Sequence, residues 1–278
     1  MTALRLCAAL FAAVSLWVLP AAADEAKPTY TLAVVPQLPP LAAHRAWAPF
    51  AKRLSEGTGT EIRLKIYQTL SEFENDVFKG IPDFAFLNPY EQTRVFGPVG
   101  YVPLVRDGGD PLKGILVVRK DSAVKTVRDL DGMEVAFPAP NSCAASLYMR
   151  VLLADKEKIR IVPRYVVSHT NVYRNVILGM TRAGSAANKT FERDTPEVRA
   201  ELRVLYETPA MVTHPLSAHP RVNLKLRKSI VETVLQMTGN ETGRRILNEV
   251  QMPKPVQADY ARDYKPLEQL GLDRYVVR

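Results

Sequence analysis

From Tyr30 onward the sequence alternates short β-forming runs with amphipathic stretches of about ten to fifteen residues, a pattern that commits the chain to βαβ units and a mostly parallel sheet. The fold class is therefore α/β. Thr31 to Val35 reads as a strand, and Arg45 to Ser55 as a helix with Trp47, Phe50 and Leu54 on one face and Gly57 to Gly59 as its stop. Glu61 to Tyr67 reads as a second strand. Ser71 and Glu74 have the spacing of a capping box, opening a helix that ends at Gly80. Phe84 to Leu87 is a third strand, after which Pro89 suits the first turn of a helix. Gly108 to Pro111 is a turn cluster, and Gly114 to Arg119 is strongly β-forming. A second block of the same kind follows, with strands at Met133 to Phe137, Arg164 to Val167 and Arg203 to Tyr206, and helices at Ala144 to Ala154 and Val172 to Thr181. Two helical stretches, Val222 to Thr238 and Glu241 to Val250, close the chain.

The first residues read as a secretory leader rather than as fold. Arg5 supplies the positive region, Leu6 to Leu19 the apolar run, and Pro20 with Ala21 to Ala23 the cleavage signal, which places cleavage before Asp24 and the mature protein in the periplasm. Cys7 precedes the site where a lipid-anchoring cysteine would stand. Loss of the leader would leave roughly 255 residues, one large or two small domains. Cys143 would then be the lone thiol, unable to form an internal disulfide. A buried, inert cysteine is the ordinary reading of such a residue.

The chain carries 37 basic and 29 acidic residues, a net charge of +8, or +7 without Arg5. A basic surface attracts anionic ligands. The basic residues are scattered and lack zinc-finger, basic-zipper or aromatic-basic motifs, so nucleic acid is not an expected partner. Catalytic signatures such as Gly-x-Ser-x-Gly, a phosphate loop or a zinc-protease helix are absent from the sequence, and neither enzymatic activity nor a cofactor is expected.

The order of Trp47, Pro49 and Phe50, Pro82 to Phe86, Gly114 to Val118, Pro140 to Ser142, and Ser168 with His169 resembles the phosphate/phosphite/phosphonate-binding proteins of ABC transporters, the PhnD-like family of type II periplasmic binding proteins. The likeness spans almost the whole mature chain. It implies two α/β lobes joined by two crossing strands near Gly114 and Tyr206. Lobe one would comprise residues 24–114 and 208–278, and lobe two residues 115–207. It also implies capture of a small anionic ligand in the cleft, a monomer, and an ABC transporter permease as partner. The alternative partner is the periplasmic domain of a sensor kinase or cyclase, which the same clamp would serve.

Asn141 and Ser142 stand just before a predicted helix, whose unpaired N–H groups can hold an oxyanion without a cationic side chain. In the family this loop grips the phosphonate oxygens, so the resemblance implies binding by Asn141, Ser142 and the N–H groups of Cys143 and Ala144. An ordinary N-cap would use the same residues. His169 matches a ligand-binding histidine of the family, and His214 is a further ligand-binding candidate. Thr69, Asn88 and Tyr90 follow lobe-one strands, where open sheets place cleft residues. Tyr67 is either an aromatic wall or a core residue. The family's aminophosphonate binders hold the ligand ammonium with two carboxylates; those positions fall near Phe191 and His214 here, with Glu192 one residue from the first. A bare or apolar-substituted anion is expected instead. Cys143 departs from the family's usual small residue, and a thiol at a helix start is expected to have a lowered pKa, which would suit a thiophilic species such as arsenite. His44, His169 and His214 border predicted strands, and no metal site is assigned to them.

Overall fold

The computed structural model describes residues 28–277; the leader, its cleavage site and Cys7 lie outside the described residues. The chain builds two mixed sheets. The first contains β1 (Thr29–Val34), β2 (Glu61–Lys65), β3 (Phe84–Phe86), β4 (Val102–Asp107), β10 (Pro215–Ala218) and β11 (Pro255–Gln257), in the order β11-β4-β10-β3-β1-β2. The second contains β5 (Gly114–Arg119), β6 (Glu134–Phe137), β7 (Val162–Tyr165), β8 (Ala183–Ala187) and β9 (Leu202–Glu207), in the order β7-β6-β8-β5-β9. Parallel pairs, β1 with β2 and β3 and β6 with β7 and β8, form one half of each sheet, while β10 and β5 run antiparallel to their neighbours. This is the two-lobed α/β architecture expected from the sequence, but the sheets are mixed rather than mostly parallel, because β5, β9 and β10, which flank the crossings between the sheets, and β11 pair antiparallel.

The first sheet is covered by α1 (Pro40–Thr58), α2 (Leu70–Phe78), α3 (Pro89–Phe96), α8 (Leu224–Gln236) and α9 (Glu241–Glu249). Trp47 packs edge-on to Phe50 at 5.4 Å between ring centroids and against Phe86 of β3 at 4.6 Å. Helix α1 begins five residues before the expected Arg45, because Pro40 occupies the N1 position that its fixed φ favours, and it ends at Gly59 with φ of 67°. The capping box of α2 is Thr69 with Glu72, not Ser71 with Glu74. Both pairs have the right spacing, but the apolar face formed by Leu70, Phe73 and Val77 sets the phase and turns Glu74 inward.

The second sheet is flanked by α4 (143–156), α5 (His169–Ile177), α6 (Asn188–Glu192) and α7 (Pro196–Glu201). Helix α4 has an α-type centre, Met149–Val151, between wider π-type turns at Cys143–Tyr148 and Leu152–Lys156. Strand β7 and helix α5 both start earlier than expected, because Val166 to Ser168 form a tight turn: the Ser168 N–H bonds to Val166 O at 3.0 Å, with Val167 at a φ of 74°. Strand β8 was not expected from the sequence. Its small residues are required by α5, since a Cβ on Gly184 would lie 2.5 Å from a Val172 methyl.

The chain crosses between the sheets twice, from Asp107 to Gly114 and from Glu207 to Pro215. The crossing segments pair with each other through Leu112 and Met211, whose N–H groups bond to each other's carbonyl oxygens at 3.0 and 2.9 Å. The C-terminal 3-10 turns, ending with Leu272–Tyr275, lie against both lobes. Leu272 packs with Tyr90 of α3 and Leu147 and Val151 of α4, and Asp273 accepts from the Tyr90 hydroxyl at 2.7 Å. No helix among the described residues is long and apolar enough to cross a membrane.

Candidate functional site

The ends of β1, β3, β6 and β8 and the starts of β5 and β10 meet at one cavity between the sheets. That is where a sheet with this connectivity opens a crevice, beyond the carboxyl ends of its parallel strands. From lobe one it is lined by Val35 to Gln37, Leu70, Asn88 and His214; from lobe two by Pro138, Ala139, Ser142 to Ala145, His169 and Ala187; and from the crossing by Leu112. The cavity volume is about 20 Å³. On that measure a single water needs roughly 10–15 Å³, so the cavity suits a small guest.

The lobe-two wall is the first turn of α4. Its hydrogen-bond ladder opens with the N–H groups of Ser146 and Leu147, both bonded to Ser142 O at 2.9 and 3.0 Å. The N–H groups of Cys143, Ala144 and Ala145 precede that ladder and, among the described residues, find no backbone acceptor. Ser142 is the N-cap and lines the cavity, and its side chain makes no capping hydrogen bond among the described residues, which leaves its hydroxyl available. This turn lies close to β5 because Gly114 has no side chain: a Cβ there would stand 2.1 Å from Ala144 O.

Facing it from lobe one is Asn88, the N-cap of α3 and 3% exposed. Its Oδ1 accepts the Glu91 N–H at 2.8 Å while Glu91 Oε2 accepts the Asn88 N–H at 2.7 Å, which fixes the amide with Nδ2 unpartnered. Burial holds the Glu91 carboxyl well above the usual carboxylate range, and the nearby Glu74 carboxyl adds to that.

Both histidines are neutral. Burial lowers His169 to a pKa of about 4, and its Nδ1 accepts the Ala187 N–H at 3.3 Å, so the proton sits on Nε2. Burial, with a contribution from His169, lowers His214 to about 3. The His214 ring stacks on Phe86 at 5.4 Å, and its Nε2 lies 2.7 Å from Gln37 Nε2; the Gln37 oxygen is taken by Gln251 at 2.9 Å. Gln37 therefore donates to Nε2 and leaves the His214 proton on Nδ1.

Among the sequence-predicted residues, Asn88, Ser142, Cys143, Ala144, His169 and His214 line this cavity, and four others stand outside its lining. Tyr67 packs edge-on to Phe73 in the lobe-one core, with its hydroxyl on Asp76 at 3.0 Å. Thr69 spends its hydroxyl capping α2. Tyr90 packs with the C-terminal turns. The Asn141 amide is fully engaged elsewhere. Its Nδ2 donates to Glu74 Oε2 and to Val277 O, both at 3.1 Å, and its Oδ1 accepts the Val277 N–H at 3.0 Å, tying lobe two to α2 and the C-terminal segment.

The expectation of an acidic Cys143 thiol is corrected. The residue is 2% exposed, its sulfur lies 3.9 Å from Met211 Sδ, and burial pushes the thiol up to about 12 despite the Tyr90 backbone N–H aimed at it. Desolvation of the charged form outweighs the helix terminus here. His44 is exposed on α1, away from the other histidines, and no group of three or more metal-ligating side chains forms among the described residues. Sequence reasoning missed Gln37; its position just after the first strand is the one signal that could have marked it.

Two mixed α/β lobes, joined by two paired crossing segments and enclosing a small cavity, define a type II periplasmic-binding-protein fold. The chain belongs to the periplasmic phosphonate substrate-binding protein family of ABC transporters, whose model matches residues 32–264. Comparison with curated protein sequences yields no match. Among solved structures, the chain is similar to the binding protein component of an ABC phosphonate transporter from Pseudomonas aeruginosa, at a TM-score of 0.79 and 16% identity, covering 88% of this chain and 86% of that one. It is also similar to PhnD1 from Prochlorococcus marinus in complex with methylphosphonate, at a TM-score of 0.78 and 15% identity, covering 88% and 98%. The aliphatic sulphonate binding protein of Escherichia coli aligns less closely, at a TM-score of 0.61 and 15% identity, covering 89% and 86%.

Proposed function

We propose that this protein captures one small tetrahedral oxyanion of the phosphate, phosphite or phosphonate class in the periplasm and delivers it to an ABC transporter permease. The observation that carries this reading is the convergence on one cavity of three unpaired N–H groups at the start of α4 and the orphaned Asn88 Nδ2. Such groups are costly to bury unless a ligand satisfies them. Ser142 would add a hydroxyl donor, and His169 and His214 would add ring N–H groups. The lining contains no Asp or Glu to pair with a ligand ammonium, which argues against an aminoalkylphosphonate.

A thermal-shift screen of the mature protein against phosphate, phosphite, methylphosphonate, sulfate and arsenite tests this reading. A ligand at about a hundred times its Kd adds about 2.7 kcal/mol, or roughly 5–10 °C for a chain of this length. A phosphorus oxyanion should give that shift and keep it in Cys143→Ser. Stabilisation by arsenite alone, lost in Cys143→Ser, would replace the oxyanion reading with a thiol-based one.

A further inference from the structure

The hydrogen-bonding roles of the lining groups reach beyond the choice of ligand class. Asn88 offers Nδ2 because its oxygen is used by the Glu91 N–H. His169 offers Nε2–H because its other nitrogen takes the Ala187 N–H. Gln37 and His214 occupy each other, leaving His214 Nδ1–H. The helix start offers N–H groups alone. The Ser142 hydroxyl is the one lining side chain that is free to act either way, and no charged side chain lines the cavity among the described residues. A ligand that still carries an acidic proton finds an acceptor among the lining side chains only in the Ser142 hydroxyl, which would then be lost as a donor; against the other lining side chains the O–H stays unpaired at a cost of about 1–3 kcal/mol.

Resting on the oxyanion reading above, we propose that the cavity selects by protonation state: it binds the fully deprotonated form of a tetrahedral oxyanion and rejects the form that retains a proton. A phosphonate would be held as its dianion. When the monoanion is the dissolved species, its proton leaves to the buffer on binding. Sulfate, which has no proton to lose near neutral pH, serves as the comparison ligand.

The protein's own titrations are separable from this effect. His169, His214 and Cys143, the ionisable groups lining the cavity, hold one protonation state between pH 6 and 8.5, with pKa values of about 4, 3 and 12. Behind the wall stand Tyr90 and Glu91 of α3 and Glu74 of α2, all raised chiefly by burial. A change at these groups would act on sulfate as much as on a phosphonate.

The test is calorimetric titration with methylphosphonate and with sulfate from pH 6 to 8.5, in two buffers of different ionisation enthalpy. A phosphate-type second ionisation lies in this neutral range, at about 6 for phosphorylated side chains. Below methylphosphonate's own second pKa, its affinity should fall about tenfold per pH unit relative to sulfate, with nearly one proton released per ligand bound. Above that pKa it should level off. Methylphosphonate binding that stays flat, or strengthens as pH falls, would overturn proton selection while leaving oxyanion capture intact, and would point to Ser142 Oγ or His214 as the acceptor. If Ser142 is that acceptor, Ser142→Ala would create the slope that the wild type lacks. If neither ligand binds at any pH, the oxyanion reading falls, and this proposal with it.

Discussion

The two buried histidines make stability depend on pH, and His214 isolates the effect. In the unfolded chain its imidazole takes up a proton below pH 6.5, whereas in the folded protein it stays neutral down to about 3. A folded-state pKa below the unfolded value means that the unfolded state binds more protons as the medium is acidified. Stability is therefore lost as pH falls through 6.5 and goes on falling until about 3. At pH 5 the unfolded histidine has gained about 2 kcal/mol that the folded one has not, a value insensitive to the exact folded pKa so long as it lies well below 5. Glu74 and Glu91, raised by burial, act in the opposite direction, so the wild-type slope alone mixes both effects. The informative quantity is a difference: the change in urea-unfolding free energy between pH 7.5 and 5.0 for the wild type, minus that for His214→Asn. Asparagine keeps an acceptor for Gln37, and the carboxyls are common to both proteins. The wild type should lose about 2 kcal/mol more than the variant. An equal pH response in the two proteins would show that His214 is not held neutral by its surroundings, and the assignment of its proton to Nδ1 would go with it.

Three further outcomes follow from the packing. Gly114→Ala should destabilise the protein by about 3 kcal/mol or more and weaken oxyanion binding, read by urea melts and calorimetry, because the new methyl must displace the Ala144 carbonyl at 2.1 Å. An unchanged melt would show that α4 can move away from β5 freely. Val167→Gly should raise the thermal midpoint, by about 1 kcal/mol of stability, since a β-branched residue at a φ of 74° is strained and its side chain is exposed. A lower midpoint would contradict that strain. Asn141→Ala removes three hydrogen bonds between lobe two, Glu74 and Val277, and should speed oxyanion release about tenfold in stopped-flow experiments. Release at the wild-type rate would mean that this junction does not hold the lobes together.

Much of the fold was legible because period and punctuation agree: Trp47, Phe50 and Leu54 mark the buried face of α1, and Gly59 marks its end. What escaped was written in small residues. The β8 sequence Ala183–Ala187 has neither alternation nor β-branched residues, because it is buried on both faces beneath close-packed α5. The short β10, Pro215–Ala218, is obscured in the same way and exists through its neighbours β3 and β4. At the site, the start of α4 could be located from Asn141 and Ser142, but not which of the two faces inward, since both are good capping residues. Only the tertiary contact with Glu74 and Val277 turns Asn141 away from the cavity. The Cys143 thiol was misjudged for a related reason: a helix start is visible in sequence, whereas the burial that overrides it comes from tertiary packing with residues such as Tyr90, Leu112 and Met211, the last 68 positions away.

The pairing of Leu112 with Met211 places the joint between the lobes at the floor of the cavity, for Leu112 lines it and Met211 touches Cys143. Fulcrum and load therefore share the same few atoms. If the lobes turn about that joint, a guest slightly too large would act on the short arm of a lever, and a small displacement there would become a wider gap at the distant rim. A snug guest lets the jaws meet, and a permease that inspects only the outer rim would then learn the size of a molecule it never touches.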